Sequence, residues 1–586
     1  MKAFSLFLVL AAAKGLGLLG REVWVSPPTV AVYLWQDAAV ALLFGVLELI
    51  LRRHPRSIWL LYGGMVFYAA VNIPLIRAVS SPLTFQIWRA AGGALSDSIV
   101  MYLTWETLCS WLLLGALAIA LPLVLKNFRS RLALAALAIA GSFFVVLGLV
   151  LTRRIDAEGL HRNALVAFVQ SAFPKVVAAA NAGGRWRARS WEMPPTEGLL
   201  RFRGAATGRN VVLVLLESTG AQYLRPYGAH LDPTPNLSRM AEHSILFENA
   251  YCVYPESIKG LFSVLCSRYP AFDLPSAIYG QVQTPSLAQR LQTNGYRSAL
   301  FHSGRFAYLG MEQVVRGRGF EVLEDAGQIG GNIHSSFGVD EPATVKRMLA
   351  WIDQLPRGDR FFLTYLPIAG HHPYNSPVPG PFVGDDERTH YLNALHYGDA
   401  ALENFFAGLR RRGLETNTLF VIAGDHGESF GQHPGNHGHT FFVYEENVRV
   451  PCLVLAPGLI REAQRVTQII SLIDTAPTIL DLLGLDTPAD YQGISWLHGC
   501  DRPALFYTDY ALGWRGLREG PWKFIQEVGS SRSRLFNLET DPGEEHNLAE
   551  SFPRQVTEYR DLLQSWSSSQ KWLLMKSGSV TLTPPQ

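Results

Sequence analysis

The chain has 586 residues, a formal net charge of +2, 48% hydrophobic residues and 17% charged residues. Near-neutral charge excludes the basic footprint of a nucleic-acid-binding protein, and the mildly apolar average conceals two unlike halves. Up to about Thr152 the sequence is mostly apolar; beyond it, polar sequence of globular type, punctuated by Pro and Gly, continues to the C-terminus.

Taken in chain order, Ala3–Leu19, Val30–Leu51, Ile58–Val79, Thr107–Leu125 and Leu132–Leu151 are each about the length of a bilayer-spanning helix, roughly 17–25 residues. About five transmembrane helices are therefore expected over residues 1–152. The first segment opens Met1-Lys2 and also fits a cleaved signal peptide, although Lys14 interrupts its apolar run and no small-x-small site closes it. Arg52, Arg53 and Arg56 crowd the second connection, and Lys126, Arg129 and Arg131 the fourth, which assigns both to the cytoplasm under the positive-inside rule. Five spans then put everything after Thr152 outside a cell (inner or plasma) membrane. Asp37, Glu48 and Asn72 lie in or near the spans, where they are costly unless bonded between helices, snorkelling to the interface, or turned to a cavity or a lipid headgroup.

Residues 153–205 read as an amphipathic connector. Leu160, Leu165, Phe168, Phe173, Val176 and Val177 approximate a helical stripe, which Gly183-Gly184 and Pro194-Pro195 end. The basic, Trp-bearing stretch Arg185–Trp191 suits a membrane headgroup layer, and equally a solvated linker. From 206 to 566, short apolar strands (Asn210–Leu216, Phe361–Tyr365, Thr418–Ala423, Pro451–Ala456) alternate with helical stretches such as Thr344–Gln354 and Tyr391–Arg412. That alternation predicts an α/β domain with a mixed, mostly parallel sheet between helices. Residues 567–586 show little pattern and read as a peripheral tail. Cys252, Cys266, Cys452 and Cys500 fall in the exported domain, where disulfides are permitted, but their spacing fixes no pairing and buried free thiols are the alternative.

The chemistry gathers at strand ends. Gly424-Asp425-His426-Gly427-Glu428 directly follows the apolar run Thr418–Ala423. An Asp and a His at the carboxyl end of a buried strand make a mixed oxygen and nitrogen site suited to a divalent metal. Glu217 emerges in the same way from Val211–Leu216, and a carboxylate there is costly unless it meets a cation. Ser257 follows Pro255 at the start of a helix-like run, where backbone N–H groups welcome an anionic ester. Alone it would be a helix cap; beside a metal its hydroxyl becomes a nucleophile.

The strand ending in Glu217, the segment Asn249-Ala250-Tyr251 to Pro255-Glu256-Ser257, the turn His371-His372-Pro373-Tyr374, the Gly424–Glu428 pentapeptide, Tyr444–Pro451 and Leu535–Pro542 together resemble the sulfatase and phosphoglycerol-transferase branch of the alkaline phosphatase superfamily. Spans ahead of such a domain are similar to the architecture of lipoteichoic acid synthases and lipid A phosphoethanolamine transferases. The resemblance implies a metal set of Glu217, Ser257, Asp425 and His426, with Ser257 as the nucleophile where the transferases usually have threonine. It implies catalytic roles for His371 and for His437 or His439, which share one unaligned position, and a substrate-side role for His302. Lys259, close to the nucleophile, is a candidate for neutralising a phosphoryl oxygen.

Two departures matter. The formylglycine pattern Cys-x-Pro-Ser-Arg is replaced by Ser257-Ile258-Lys259-Gly260-Leu261, and the paired aspartates of sulfatases by Glu217-Ser218. With His426, the donor set suits zinc or manganese better than calcium or magnesium. The expectation is a membrane-anchored phosphotransferase moving a headgroup, of phosphoglycerol or phosphoethanolamine type, from a phospholipid donor to a glycan or lipid acceptor through a phosphoserine. The alternative is an extracytoplasmic sulfatase or phosphodiesterase, and a non-catalytic envelope scaffold ranks third.

Overall fold

The computed structural model describes residues 2–577 apart from 21–22, 24, 80–81, 86–87, 89–103, 126–130, 153, 156–158, 180–196, 333–337, 500–501, 511–512 and 529–531. The stretch Arg185–Trp191 and Cys500 thus lie outside the described residues. The chain divides into two compact units, one of Met1–Phe173 with Gly431–Phe441, the other of Pro174–Phe430 with Phe442–Gln586.

The first unit is helical. Its helices α1 (Lys2–Gly17), α2 (Pro27–Ile50), α3 (Pro55–Val79), α4 (Trp105–Val124) and α5 (Arg131–Leu151) coincide with the five expected segments. Among the described residues, four helices, those after α1, are long and apolar enough to cross a membrane. The first has 16 residues. It lies inside the bundle, with Leu6, Val9, Leu10 and Ala13 packed in a core with Phe44, Tyr62, Ile73 and Leu114. Outward-facing Leu112, Ile119, Leu132, Ile139 and Phe143 stay exposed, as lipid-facing side chains would. The costly polar residues are bonded inside this unit. Lys14 Nζ meets Asp37 Oδ2 at 2.5 Å, and Asp37 Oδ1 accepts from Asn163 Nδ2 at 2.6 Å. Asn72 donates to Tyr68 O and accepts from Leu83 N, both at 2.7 Å. Lys14, Asp37 and Asn72 are thus met within the protein, which removes most of the penalty of placing them there.

The second unit is built on a nine-stranded mixed sheet. Its main strands are β1 (Asn210–Leu216), β2 (Ile245–Tyr251), β3 (Tyr296–His302), β4 (Val322–Glu324), β5 (Arg360–Leu366), β6 (Thr418–Gly424), β7 (Cys452–Leu455) and β8 (Gln464–Ser471), in the order β8-β2-β7-β6-β1-β5-β3-β4. β1 runs parallel to β5 and β6, and β3 parallel to β4 and β5. β7 is antiparallel to both β2 and β6, which makes the sheet mixed. Because β1, β3, β5 and β6 are parallel, their carboxyl ends open on one edge, the edge at which such sheets hold ligands. One face is covered by helices: Val212, Val214, Phe301, Leu363 and Phe420 pack with Met348, Phe405 and Leu409, which lie on the long helices Glu341–Asp353 and Glu387–Arg411.

A four-stranded antiparallel sheet, Ala504–Thr508, Trp514–Glu519, Trp522–Glu527 and Ser533–Asn537, follows. It shares a core of Tyr507, Leu517, Phe524, Leu535 and Trp566 with the helix Pro553–Ser577. This corrects the expected tail. The helix runs on past Trp566, burying Ser567, Ser569, Gln570 and Leu574, and Lys571 Nζ pairs with Asp273 Oδ2 at 2.8 Å. Small and polar side chains hide the helical stripe there, so periodicity alone missed it. The connector also divides: residues to Phe173 group with the first unit, and from Pro174 onward with the second. Among the described residues, Cys252, Cys266 and Cys452 are free and buried, as their alternative reading expected.

Candidate active site

Four of the residues assigned to one metal set come from three places in the sheet. Glu217 leaves the end of β1, Asp425 and His426 leave the end of β6, and Ser257 opens the helix Ser257–Cys266, which follows β2. Ser257 Oγ lies 2.8 Å from Glu217 Oε2, 2.7 Å from Asp425 Oδ2 and 3.5 Å from His426 Nε2. His426 Nε2 is 3.4 Å from Glu217 Oε1 and 3.6 Å from Asp425 Oδ2. One ligand atom from each of Glu217, Asp425 and His426 lies within 4.8 Å of the others.

The supporting bonds fix these directions. His426 Nδ1 faces Gly427 O at 2.9 Å, so the ring donates there and turns Nε2 to the cluster. Asp425 Oδ1 accepts from the backbone N–H groups of Ser218 (3.0 Å) and His426 (2.7 Å), leaving Oδ2 for Ser257. Ser218 takes φ +52, a left-handed turn that aims its N–H at Asp425, and Tyr391 OH donates to its carbonyl at 2.7 Å. Sequence reasoning missed both residues. Ser218 carried a signal in its place right after Glu217; Tyr391 carried none.

A hydroxyl has one proton and cannot donate to both carboxylates at once. Glu217 and Asp425 are both buried. Burial and then the Glu217 charge push the Asp425 carboxyl up to about 7. Burial drives the His426 ring down, but Asp425 and Glu217 outweigh it and raise it to about 10. Two buried carboxylates in this geometry call for a cation, and two carboxylates, an imidazole and a hydroxyl are a donor set for a divalent metal.

Ser257 is not the helix cap. Glu256 takes that position, its carboxylate accepting from Ile258 N (3.1 Å) and Lys259 N (3.3 Å). The Ser257 hydroxyl is thereby left to the cluster. Lys259 turns elsewhere: Nζ bonds Asp509 Oδ1 at 2.6 Å and sits 4.4 Å from the Tyr254 ring centre. Burial works against the lysine's charge, but Asp509 holds it protonated and raises it above its ordinary value. Lys259 therefore ties the helix that Ser257 opens to Asp509 beside the small sheet, and the phosphoryl-neutralising role expected of it has no geometric support.

His302 ends β3, buried, with Nδ1 donating to Leu366 O at 3.0 Å and Nε2 left as the acceptor. Burial holds it below the ordinary histidine value. His371 follows Gly370, which packs on the Glu217 backbone so closely that an added Cβ would meet Glu217 O at 2.3 Å. Only glycine permits that approach, and it brings the His371 turn against the strand end carrying the carboxylate. His437 and His439 lie in Gly431–Phe441, which groups with the N-terminal helices, and His437 lines a cavity there with Lys14, Asp37 and Asn163.

The sulfatase family model matches residues 209–485, and the model for the C-terminal region of N-sulphoglucosamine sulphohydrolase matches residues 435–566. Among curated proteins, the chain is 24% identical over 306 residues to lipoteichoic acid synthase 2 of Bacillus subtilis (49% of this chain, 46% of the relative). It is 27% identical over 231 residues to arylsulfatase K of Bos taurus (34% of this chain, 40% of the relative). The chain spans about half the length of the curated relatives it matches. The crystal structure of the lipoteichoic acid synthase LtaP from Listeria monocytogenes superposes with a TM-score of 0.54 at 19% identity, covering 67% of this chain and 98% of that one, a likeness of fold. With the sheet order and the strand-end ligand cluster in agreement with these matches, residues 209–485 of the chain form a sulfatase domain.

Proposed function

We propose that this protein is a membrane-anchored, metal-dependent phosphotransferase that takes a phospho-headgroup from a phospholipid and passes it to an envelope glycan or lipid. The observation that carries the reading is Ser257 Oγ set between Glu217 Oε2 and Asp425 Oδ2 with His426 Nε2 facing it. A divalent metal held by Glu217, Asp425, His426 and Ser257 would lower the hydroxyl's pKa and draw charge from the phosphoryl oxygens. Ser257 attacks phosphorus through Oγ as the alkoxide, the form in which the second step releases it; the bond from phosphorus to the diacylglycerol oxygen breaks, and His371 supplies the proton to the departing alkoxide. The acceptor hydroxyl then attacks the phosphoserine, gives its proton back to the histidine, and frees Ser257. The serine in place of a formylglycine pattern, and Glu217-Ser218 in place of paired aspartates, favour phosphoesters over sulfate esters.

The arginine-rich second connection supports an extracytoplasmic catalytic domain. A protease added to intact spheroplasts should reach the region after Gly204; protection until lysis would reverse the orientation. A hydrolase reading is favoured by one observation, the match of residues 435–566 to a sulphohydrolase C-terminal region. One experiment separates the two. Full-length protein in liposomes of phosphatidylglycerol or phosphatidylethanolamine should release diacylglycerol, faster with a glycan acceptor, and should carry the headgroup on Ser257 when the acceptor is withheld. Rapid sulfate release from aryl or sugar sulfates with no lipid consumed replaces the transferase by the hydrolase.

A further inference from the structure

Glu341 is the first residue of the helix Glu341–Asp353 and is 1% exposed. Its carboxylate joins two segments that leave different strands. Oε2 accepts from Ser303 Oγ at 2.5 Å and from Tyr365 OH; Oε1 accepts from Ile368 N at 2.8 Å. Ser303 is the residue after His302, and Ile368 begins the turn whose carbonyl receives His371 N at 2.9 Å. The two segments are laced further where Ser303 N donates to Leu366 O (3.0 Å) and Val339 N donates to Ser303 O (2.9 Å). Gly338 lies so close to this junction that an added Cβ would fall 2.0 Å from Ser303 O. Beside it, a cavity of about 30 Å³ is bordered by Glu341, Ile368, His371 and Tyr397, room for about two waters.

An acceptor-only carboxylate suits this place because each of its described partners is a donor. It also stands at a helix N-terminus, where the backbone favours negative charge. Burial pushes the Glu341 carboxyl up, and the bonds from Ser303, Tyr365 and Ile368 oppose that rise. An amide in its place would turn an N–H₂ group toward donors. Of these, the Ile368 N–H cannot reverse.

We propose that Glu341 is a positioning residue that holds His302 and His371 in register with each other by clamping the ends of β3 and β5. It touches neither substrate nor ligand cluster and acts through Ser303 and Ile368. The kinetic consequence rests on the phosphotransferase reading; the geometric one does not.

The test uses full-length protein in detergent micelles, with Glu341→Gln and, as a milder perturbation that leaves the anion in place, Ser303→Ala. Carbethoxylation by diethyl pyrocarbonate, followed peptide by peptide, reads each histidine, with exposed His230, His243 and His390 as internal controls. In Glu341→Gln, His302 and His371 should label at least about fivefold faster while the three controls and the bound metal stay as in the wild type, and ester turnover should fall in kcat rather than KM. Wild-type labelling rates at both histidines overturn the proposal. If Glu341→Gln loses its metal and its cooperative unfolding, Ser303→Ala decides, since faster labelling of His302 is required there and an unchanged rate defeats the clamp. A wild-type enzyme that cleaves no ester sinks the proposed function and leaves the labelling result standing on its own.

Discussion

Replacing Ser257 by alanine tests the proposed nucleophile apart from the scaffold, because in the structure Ser257 faces the ligand cluster while its neighbour Glu256 caps the helix. The cap of the helix Ser257–Cys266 is the Glu256 carboxylate, with its bonds to Ile258 N and Lys259 N. The Ser257 hydroxyl contacts only Glu217, Asp425 and His426 among its described hydrogen-bond partners. Removing one partly exposed oxygen that caps nothing should change stability by no more than about 1 kcal/mol. Catalysis should respond on another scale. Loss of an activated nucleophile costs on the order of 10⁴ to 10⁶ in kcat, about 5 to 8 kcal/mol of barrier. Ser257→Thr keeps a hydroxyl at the same carbon and should retain part of the activity. The assay is diacylglycerol release from phosphatidylglycerol liposomes, run beside thermal unfolding and elemental analysis of each variant. A Ser257→Ala protein with undiminished turnover would refute the assignment. One that unfolds many degrees lower would show that the hydroxyl, and not Glu256, holds the helix start.

Three further outcomes follow from the same geometry. Asp425→Ala removes the carboxylate that both meets Ser257 and is oriented by Ser218 N and His426 N; elemental analysis should show near-stoichiometric zinc or manganese in the wild type and little in the variant, and an active metal-free enzyme contradicts the site. His302 is held below its ordinary value by burial, so it stays neutral in the fold while the unfolded chain takes a proton below about pH 6.5. The unfolded state then binds more protons, and stability falls as pH drops through that range, by at most about 1.4 kcal/mol per pH unit from this group; His302→Asn should flatten the unfolding midpoint between pH 5 and 7, and an unchanged slope counts against it. Lys571→Ala strips the buried Asp273 carboxylate of its cation, although Lys175 N and Val176 N still donate to it; breaking a buried pair on one side costs about 3–5 kcal/mol, and a midpoint within a degree of wild type would return this helix to the status of a loose appendage.

How far the sequence carried the reading depends on how local each cause is. Glu217, Asp425 and His426 were legible because a charged residue directly after a run of buried β-branched residues has few places to go, and parallel strands bring such ends to one edge. Ser257 was legible only as a place on a helix. That Glu256 relieves it of capping required coordinates, since serine and not glutamate is among the residue types preferred as a cap. Lys259 was misread because proximity in sequence to Ser257 fixes the start of a side chain and not its end, and Asp509 lies 250 positions away along the chain. Glu341, Tyr391 and Asp509 share the reason they went unseen. Each acts by accepting or donating bonds to backbone or side chains brought near by the fold, and none sits at a spacing that periodicity or motif could mark. A strand end announces a ligand because burial makes an unpaired charge expensive, whereas a residue that orients the ligand pays no such visible penalty once its partners are in place. The silent residues are therefore where substitutions should alter kcat while leaving metal content and fold intact, and Glu341 is the one whose two attachments reach both histidine segments.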